Sequence, residues 1–328
     1  MSEPLVSILI AVYNAGEYLR PSLRSILSQT YTNLEILLID DGSTDHCIGS
    51  IADIKDSRIR IITQQNRGKA AAINRVLDEL SGQFYAIQDA DDLSYPQRIE
   101  LQVRCMLENP DIAAVFSGHD IIVDGQRVAP DFAGKTSEQC RRDIKLLRMP
   151  AHDPTAMYRV SMVKDMRYDP TLKVAEGLDY ILRVGERYPM MVLGQCLYSY
   201  RFKIGSLSRQ DTTARNEMVR KVIMRACQRQ GCDVSKKFFY EPSSTGSFGH
   251  RGKENNIVAH FMQSVIDLRG VSRNGKALQT ALSCVKLHPF DPHYYKPFLY
   301  TIVPLSLIDL YRLAKDKCSA ILKIGPAA

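Results

Sequence analysis

Leu34-Glu-Ile-Leu-Leu-Ile-Asp40 runs directly into Asp41-Gly-Ser-Thr-Asp45, an apolar run closed by acids and turn-forming residues. Short apolar runs rich in branched residues and bounded by such turns read as buried strands. Working outward, Leu5–Val12 is a second run of this kind, closed by Asn14-Ala-Gly. Between the two, Glu17–Gln29 places Leu19, Leu23, Ile26 and Leu27 at helical spacing. Downstream the spacing predicts a helix near Thr44–Ile54, a strand over Arg58–Thr63, a helix over Gly68–Leu80 and a strand over Phe84–Gln88. Pro96 then opens a helix that runs to Glu108, a position where proline loses no hydrogen bond. Strand and helix alternating in this way predict an α/β fold, a mostly parallel sheet flanked by helices.

After Ala113–Ser117 the pattern loosens into short apolar pieces, Ile121–Val123, Thr155–Tyr158 and Met190–Ser199, alternating with helical ones, Ser137–Leu147 and Leu178–Tyr188. From about Ser208 the chain reads as helix over Thr213–Gln230, Asn255–Leu268, Gly275–Leu287 and Pro297–Ala314, with a Gly/Ser-rich loop at Glu241–Gly252. The expected organisation is an α/β domain over 1–207 and a mainly helical region over 208–328.

The 328 residues, 45% hydrophobic and 24% charged, have an ordinary globular composition, which excludes a disordered or low-complexity chain. Residues 1–205 carry 24 basic and 27 acidic side chains, net −3, whereas 206–328 carry 19 and 9, net +10. The second region is a basic appendage. The eight cysteines include no C-x-x-C pair, which argues against a zinc site or a dense disulfide framework. The start has neither a basic nor an apolar signal segment, and no apolar run is long enough to span a bilayer, so a reduced, cytoplasmic chain is expected.

Ligands of open α/β sheets bind beyond the carboxyl ends of the strands. Two of those ends here are acidic: Asp40-Asp41-Gly42-Ser43-Thr44-Asp45 and Asp89-Ala90-Asp91-Asp92. So many carboxylates on one rim repel each other unless a cation or hydrogen-bond donors compensate them. Hard oxygen ligands select Mg²⁺ or Mn²⁺, and Mg²⁺ usually bridges one or two carboxylates to phosphates. A phosphorylated substrate follows. The competing reading of Asp41-Gly-Ser is an ordinary turn or helix cap.

Val6-Ser-Ile-Leu-Ile-Ala-Val-Tyr-Asn14, Ile39-Asp-Asp-Gly-Ser-Thr-Asp45, Asn66-Arg-Gly-Lys-Ala-Ala-Ala-Ile-Asn74 and Gln88-Asp-Ala-Asp-Asp92 occur in that order. Together they resemble the family 2 glycosyltransferases of the GT-A fold, closely over 5–110 and more loosely to about 208. The resemblance implies a nucleotide-sugar donor, usually a UDP-sugar, with Mg²⁺ or Mn²⁺. By position it implies that Tyr13 and Asp41 hold the base, Asp89 the ribose side and Asp91 the metal. Lys69 is placed either to contact phosphate or as a solvated lysine at a helix start. The implied chemistry is one displacement at the anomeric carbon, with inversion, in which a carboxylate takes the proton of the attacking hydroxyl.

Two departures stand against that pattern. Relatives often read E-D-x-D-L-x-x-R, with the second residue as base; here the stretch is Glu176-Gly177-Leu178-Asp179-Tyr180-Ile181-Leu182-Arg183. Counting back from Arg183, the base falls on Gly177, which leaves Asp179, with a small register shift, or Glu176 to serve. Asp179 has a second reading as a carboxylate favoured by the helix dipole, and Arg183 is expected to pair with an acid on its own helix face or on the rim. Relatives also carry a histidine where Lys203 stands. A protonated lysine cannot ligate a metal, but it can neutralise a diphosphate. His152-Asp153-Pro154-Thr155 either faces the acceptor or holds a loop histidine bonded to its neighbours.

The apolar Pro297–Ala314, interrupted by Pro304 and followed by Lys315, Lys317 and Lys323, has two readings. It is either a kinked core helix or an interfacial one whose lysines meet anionic headgroups, giving a peripheral membrane contact through 297–323. Nucleic-acid binding is not expected, since no recognised module is present. Nor does a G-x-G-x-x-G follow any strand, which argues against a dinucleotide enzyme. The expected function is an inverting transfer of a sugar to a saccharide or lipid-linked hydroxyl acceptor in surface polysaccharide or glycolipid assembly. Its rival is a catalytically silent relative that binds nucleotide-sugar as a sensor or scaffold.

Overall fold

The computed structural model describes residues 3–123, 126–129, 131–201, 212–232, 272–304 and 306–307, with 258, 261–262, 264–266 and 268–269. Lys203, the Glu241–Gly252 segment and the lysines beyond 307 lie outside the described residues. The chain divides into two compact units, one of Met1–Ala129, Gly134–Lys203 and Lys221–Ala226, the other of Pro130–Ala133, Ile204–Arg220 and Cys227–Ala328.

Among the described residues the first unit has nine strands: β1 (Val6–Val12), β2 (Leu34–Asp40), β3 (Ile59–Thr63), β4 (Phe84–Ile87), β5 (Leu93–Ser94), β6 (Ala114–Val123), β7 (Gln126–Val128), β8 (Met157–Arg159) and β9 (Met190–Arg201). They form one sheet in the order β3-β2-β1-β4-β8-β6-β9-β5, with β7 on β6. The four strands β3, β2, β1 and β4 are parallel. Beyond them β8 runs antiparallel to β4 and to β6, and β9 runs parallel to β6. The sheet is therefore mixed, because the strand–helix alternation that makes parallel crossovers stops after β4.

β1 is the centre of the core. Val6, Ile8, Leu9, Ile10 and Val12 are all fully buried, with Ile8 registered against Ile36 on one side and Ala86 on the other. A parallel strand covered on both faces explains why the run is continuously apolar rather than alternating. Helices α1 (Leu19–Leu27), α2 (Lys69–Leu77), α3 (Arg98–Glu108), α4 (Ser137–Lys145), α5 (Val160–Val163) and α6 (Glu176–Arg187) flank the sheet. Leu19, Leu23 and Ile26 bring one face of α1 into the core and Ile99, Val103 and Met106 do the same for α3. Each such side chain contributes about 1.5–3 kcal/mol on burial. In the second unit, helices Asn274–Leu287 and Lys296–Ile302 agree with the expected helical reading, and Ala277 and Ala281 pack with Val265, Leu268 and Ala133.

The helix expected near Thr44–Ile54 does not form; only a 3-10 turn at Gly49–Ile51 is present. The side chains of this stretch are committed to its neighbours instead. Asp45 accepts from Gly16 N at 2.7 Å and Cys47 N at 3.1 Å, and Asn14 Oδ1 accepts from Thr44 N at 2.8 Å. Short polar side chains that bond backbone locally compete with helix in this way.

Behind the rim, Tyr85, Tyr158, Tyr168 and Tyr180 form a buried aromatic wall. Tyr168 and Tyr180 stack at 4.0 Å between centroids, Tyr85 and Tyr158 at 5.0 Å, and Tyr85 and Tyr180 share a hydroxyl hydrogen bond of 2.7 Å.

Candidate active site

The carboxyl ends of β1, β2 and β4 deliver Tyr13, Asp40-Asp41 and Asp89–Asp92 to one rim. Tyr13 is 44% exposed, so its ring is free to meet a planar ligand. Asp41 is buried. Its Oδ1 accepts from Gln64 Nε2 at 2.7 Å and Arg67 N at 2.9 Å, and its Oδ2 from Gly68 N at 2.8 Å. That carboxylate therefore shapes the Gln64–Gly68 loop leading into α2. The next residue, Gly42, has φ +76°, and a Cβ there would come within 2.9 Å of Asn66 N. Only glycine allows so close an approach in that backbone region.

At the end of β4 the turn is held from inside. Gln88 Nε2 donates to Ser22 Oγ and to the Asp92 carbonyl, and Ser22 Oγ donates to the Asp89 carbonyl at 3.0 Å. Asp92, fully buried, accepts from Tyr198 Oη at 2.9 Å and Arg201 N at 2.7 Å. Burial, with the charges of Asp91 and Asp89 adding to it, raises the Asp92 carboxyl well above the usual carboxylate range. With Asp92 fixed inward, Asp89 and Asp91 are the half-buried carboxylates of the turn. Arg98, also fully buried, donates to the Ile87 and Pro154 carbonyls, to Gln88 Oε1 and to Ser94 Oγ. Burial lowers its guanidinium to about 10.

Lys69, at the start of α2, reaches across the rim to Asp89 Oδ1 at 2.7 Å and lies 3.8 Å from Asp153 Oδ2. Burial pulls its ammonium down, but Asp89, Asp153 and Glu176 outweigh that and hold it above the ordinary lysine value. Burial pushes Glu176 up to about 7, against the opposing charge of Lys69 and with that of Asp153. Asp153 is raised as well, by burial against the pull of Lys69. Beside it, burial lowers His152 to about 4, which keeps the imidazole neutral.

Lys69, Asp89 and Glu176 thus come together, and Asp153 joins them. Asp179 does not. It is 3% exposed, accepts from Arg183 Nε at 2.7 Å one helical turn away, and Arg183 also donates to the Arg167 carbonyl. Asp91 stands on the rim with its backbone carbonyl accepting from Arg201 Nε at 3.0 Å. Among the described residues no three His, Cys, Asp or Glu side chains converge as a ready metal cage. One carboxylate with phosphate oxygens and waters remains a donor set that suits Mg²⁺. Sequence reasoning missed the supports Arg98 and Tyr198, whose partners are set only by tertiary contact.

Residues 7–167 match the family model described as glycosyl transferase family 2. An uncharacterized glycosyltransferase of Haemophilus influenzae is 30% identical over 232 residues, 67% of this chain and 72% of its own. The Escherichia coli UDP-Glc:alpha-D-GlcNAc-diphosphoundecaprenol beta-1,3-glucosyltransferase WfgD is 37% identical over 135 residues, 40% of this chain and 53% of its own. Among solved structures, S. aureus TarS 1-349 in complex with UDP-GlcNAc superposes with a TM-score of 0.61 at 17% identity, covering 96% of this chain and 92% of that one.

Proposed function

This chain belongs to glycosyltransferase family 2, and from that premise we propose that it is an inverting transferase using a UDP-sugar. The observation that carries the reading is the convergence of Lys69, Asp89, Asp153 and Glu176 beside the Asp91 turn. The cluster gives one rim a cation for phosphate and carboxylates for an acceptor hydroxyl. Asp89 takes the ribose side, Tyr13 stacks on the base, and Asp41 holds the base either directly or through the Gln64–Gly68 loop. Lys69, now paired with Asp89, neutralises the diphosphate, a role also open to Lys203. Asp91, with phosphate oxygens and waters, would hold Mg²⁺ or Mn²⁺. When bound, that ion supplies positive charge to the departing diphosphate. The proton of the acceptor hydroxyl goes to a carboxylate of the cluster around Lys69, to which Glu176 belongs and Asp179, committed to Arg183, does not.

The catalytic machinery is assigned to 1–207. WfgD, by its name, acts on a diphosphoundecaprenol-linked sugar, and a lipid-linked or saccharide acceptor of surface polysaccharide is the class proposed here. In the 208–328 region, Leu299 and Ile302 are 56% and 67% exposed, which supports a peripheral contact of 297–323 with the inner face of the cytoplasmic membrane. No helix of the described residues is long and apolar enough to cross a membrane. Gly177 favours a second reading, a silent relative that binds donor without turning it over. The test is a calorimetric screen of nucleotide-sugars with and without Mn²⁺, followed by UDP release from any donor bound. Binding with slow release supports the transferase, binding without release supports the silent relative, and no binding defeats both.

A further inference from the structure

Gly177 lacks a side chain because another residue fills its place. A Cβ built on Gly177 would overlap Cγ and Oδ2 of Asp153 and come within 2.9 Å of Asp153 Cβ. Position 177 is where the family pattern puts its base. The volume that such a side chain would occupy therefore already holds a carboxyl group, delivered from a different element.

The backbone that carries this carboxyl is held from several sides. Asp153 begins a 3-10 turn, Asp153–Thr155, whose second residue is proline. Its carbonyl accepts from Ala156 N at 3.0 Å, and the next two carbonyls, of Pro154 and Thr155, accept from Arg98 and Gln102. The residue is 9% exposed, and its Oδ1 has no hydrogen-bond partner among the described residues. Buried polar atoms are almost always bonded, so a carboxylate oxygen left without a partner beside Lys69 calls for a role that its own fold does not supply. Among the described residues its ion-pair partner is Lys69, at 3.8 Å, the side chain that also reaches Asp89.

We propose that Asp153 is the base of the transfer, standing in for the carboxylate that relatives carry at the position of Gly177. The inference rests on the reading of this chain as an inverting transferase. The acceptor oxygen forms its bond to the anomeric carbon while the bond from that carbon to the diphosphate oxygen breaks. The bonding pair leaves with the diphosphate, and the acceptor's proton passes to a carboxylate oxygen of Asp153 and from there to water. Glu176, whose charge also acts on Lys69, is a positioning residue for that ammonium.

The test uses the full chain, UDP-glucose and UDP-GlcNAc as donors, Mn²⁺, and water as the acceptor, with UDP release as turnover and calorimetry for UDP affinity. Asp153→Asn should lower turnover roughly 10²–10⁴-fold, the usual worth of a positioned proton acceptor, with UDP affinity within about threefold of the unaltered protein. Glu176→Gln should cost less than about tenfold. The double variant Asp153→Ala/Gly177→Asp moves the carboxylate back to the helix and should recover turnover to within about tenfold of the unaltered chain. It also carries the test if Asp153→Asn fails to fold. Unaltered protein that releases no UDP from either donor overturns the transferase reading and this proposal together. Release that survives Asp153→Asn but falls with Glu176→Gln overturns this proposal alone, as does a folded double variant without turnover.

Discussion

Arg98 Nη2 donates to the Pro154 carbonyl at 2.8 Å, joining the first turn of α3 to the residue that follows Asp153. The same guanidinium bonds the end of β4 through the Ile87 carbonyl and Gln88 Oε1. One buried side chain thus sets the spacing between the Asp89–Asp92 turn and the Asp153 carboxyl.

Arg98→Leu should be among the costliest substitutions outside the rim. It leaves the Pro154 and Ile87 carbonyls without donors, and each buried acceptor so stranded costs about 1–3 kcal/mol. Arg98→Lys keeps the charge but cannot serve all these acceptors from one ammonium, so it should fall between. Urea unfolding monitored by circular dichroism measures both, and a fully stable Arg98→Leu would show that the network is dispensable.

Asp91→Asn should remove the Mn²⁺ dependence of UDP binding, because an amide is a far poorer ligand for a hard cation than a carboxylate. Affinity in Mn²⁺ should drop about tenfold or more, equivalent to ~1.4 kcal/mol. Titrations in Mn²⁺ and in EDTA check it. Unchanged affinity in Mn²⁺ would assign the metal elsewhere.

Asp41→Ala strips acceptors from Gln64 Nε2, Arg67 N and Gly68 N. The loop should loosen, with a loss of ~1–3 kcal/mol in stability, and UDP affinity should weaken alongside. Asp41→Asn keeps the shape but turns one acceptor into a donor, so Oδ1 or Oδ2 loses its bond. Trypsin cleavage after Arg67, timed against thermal unfolding, distinguishes a loosened loop from global loss.

The pH dependence of stability has a defined sign. Burial, opposed by Lys69 and reinforced by Asp153, lifts Glu176 from 4.5 in the unfolded chain to about 7 in the folded one. Between those values the folded protein binds more protons at this site, so its contribution is complete below 4.5 and is lost as pH rises through about 7. Asp153 works in the same direction, and Lys69 and Asp89 are the other charged groups facing the site. Glu176→Gln should therefore flatten the fall in melting temperature between pH 5 and 8. An identical slope in the two proteins would show that Glu176 titrates normally.

The parallel half of the sheet was legible because continuous apolar runs alternate with amphipathic ones from Leu5 to Glu108. The segment after β2 has helical spacing but is a turn, since its Asp45 and Asn14 bonds link segments that spacing alone cannot pair. Asp179 and Arg183 stand four apart, a helical neighbour relation visible in the sequence, and the structure pairs them. The relation between Asp153 and Gly177 was not legible. A glycine reports a missing side chain, not the distant residue that occupies its space.

The aromatic wall gives this protein an optical reporter. The chain has sixteen tyrosines and no tryptophan, so no indole masks or drains tyrosine emission. Tyr85, Tyr158, Tyr168 and Tyr180 lie close enough to exchange excitation with one another. Their emission should be depolarised and their near-ultraviolet dichroism intense. The wall, whose four hydroxyls feel the charge of Asp153, should contribute strongly to both signals, so ligand entry beside Asp153 should be readable without a label.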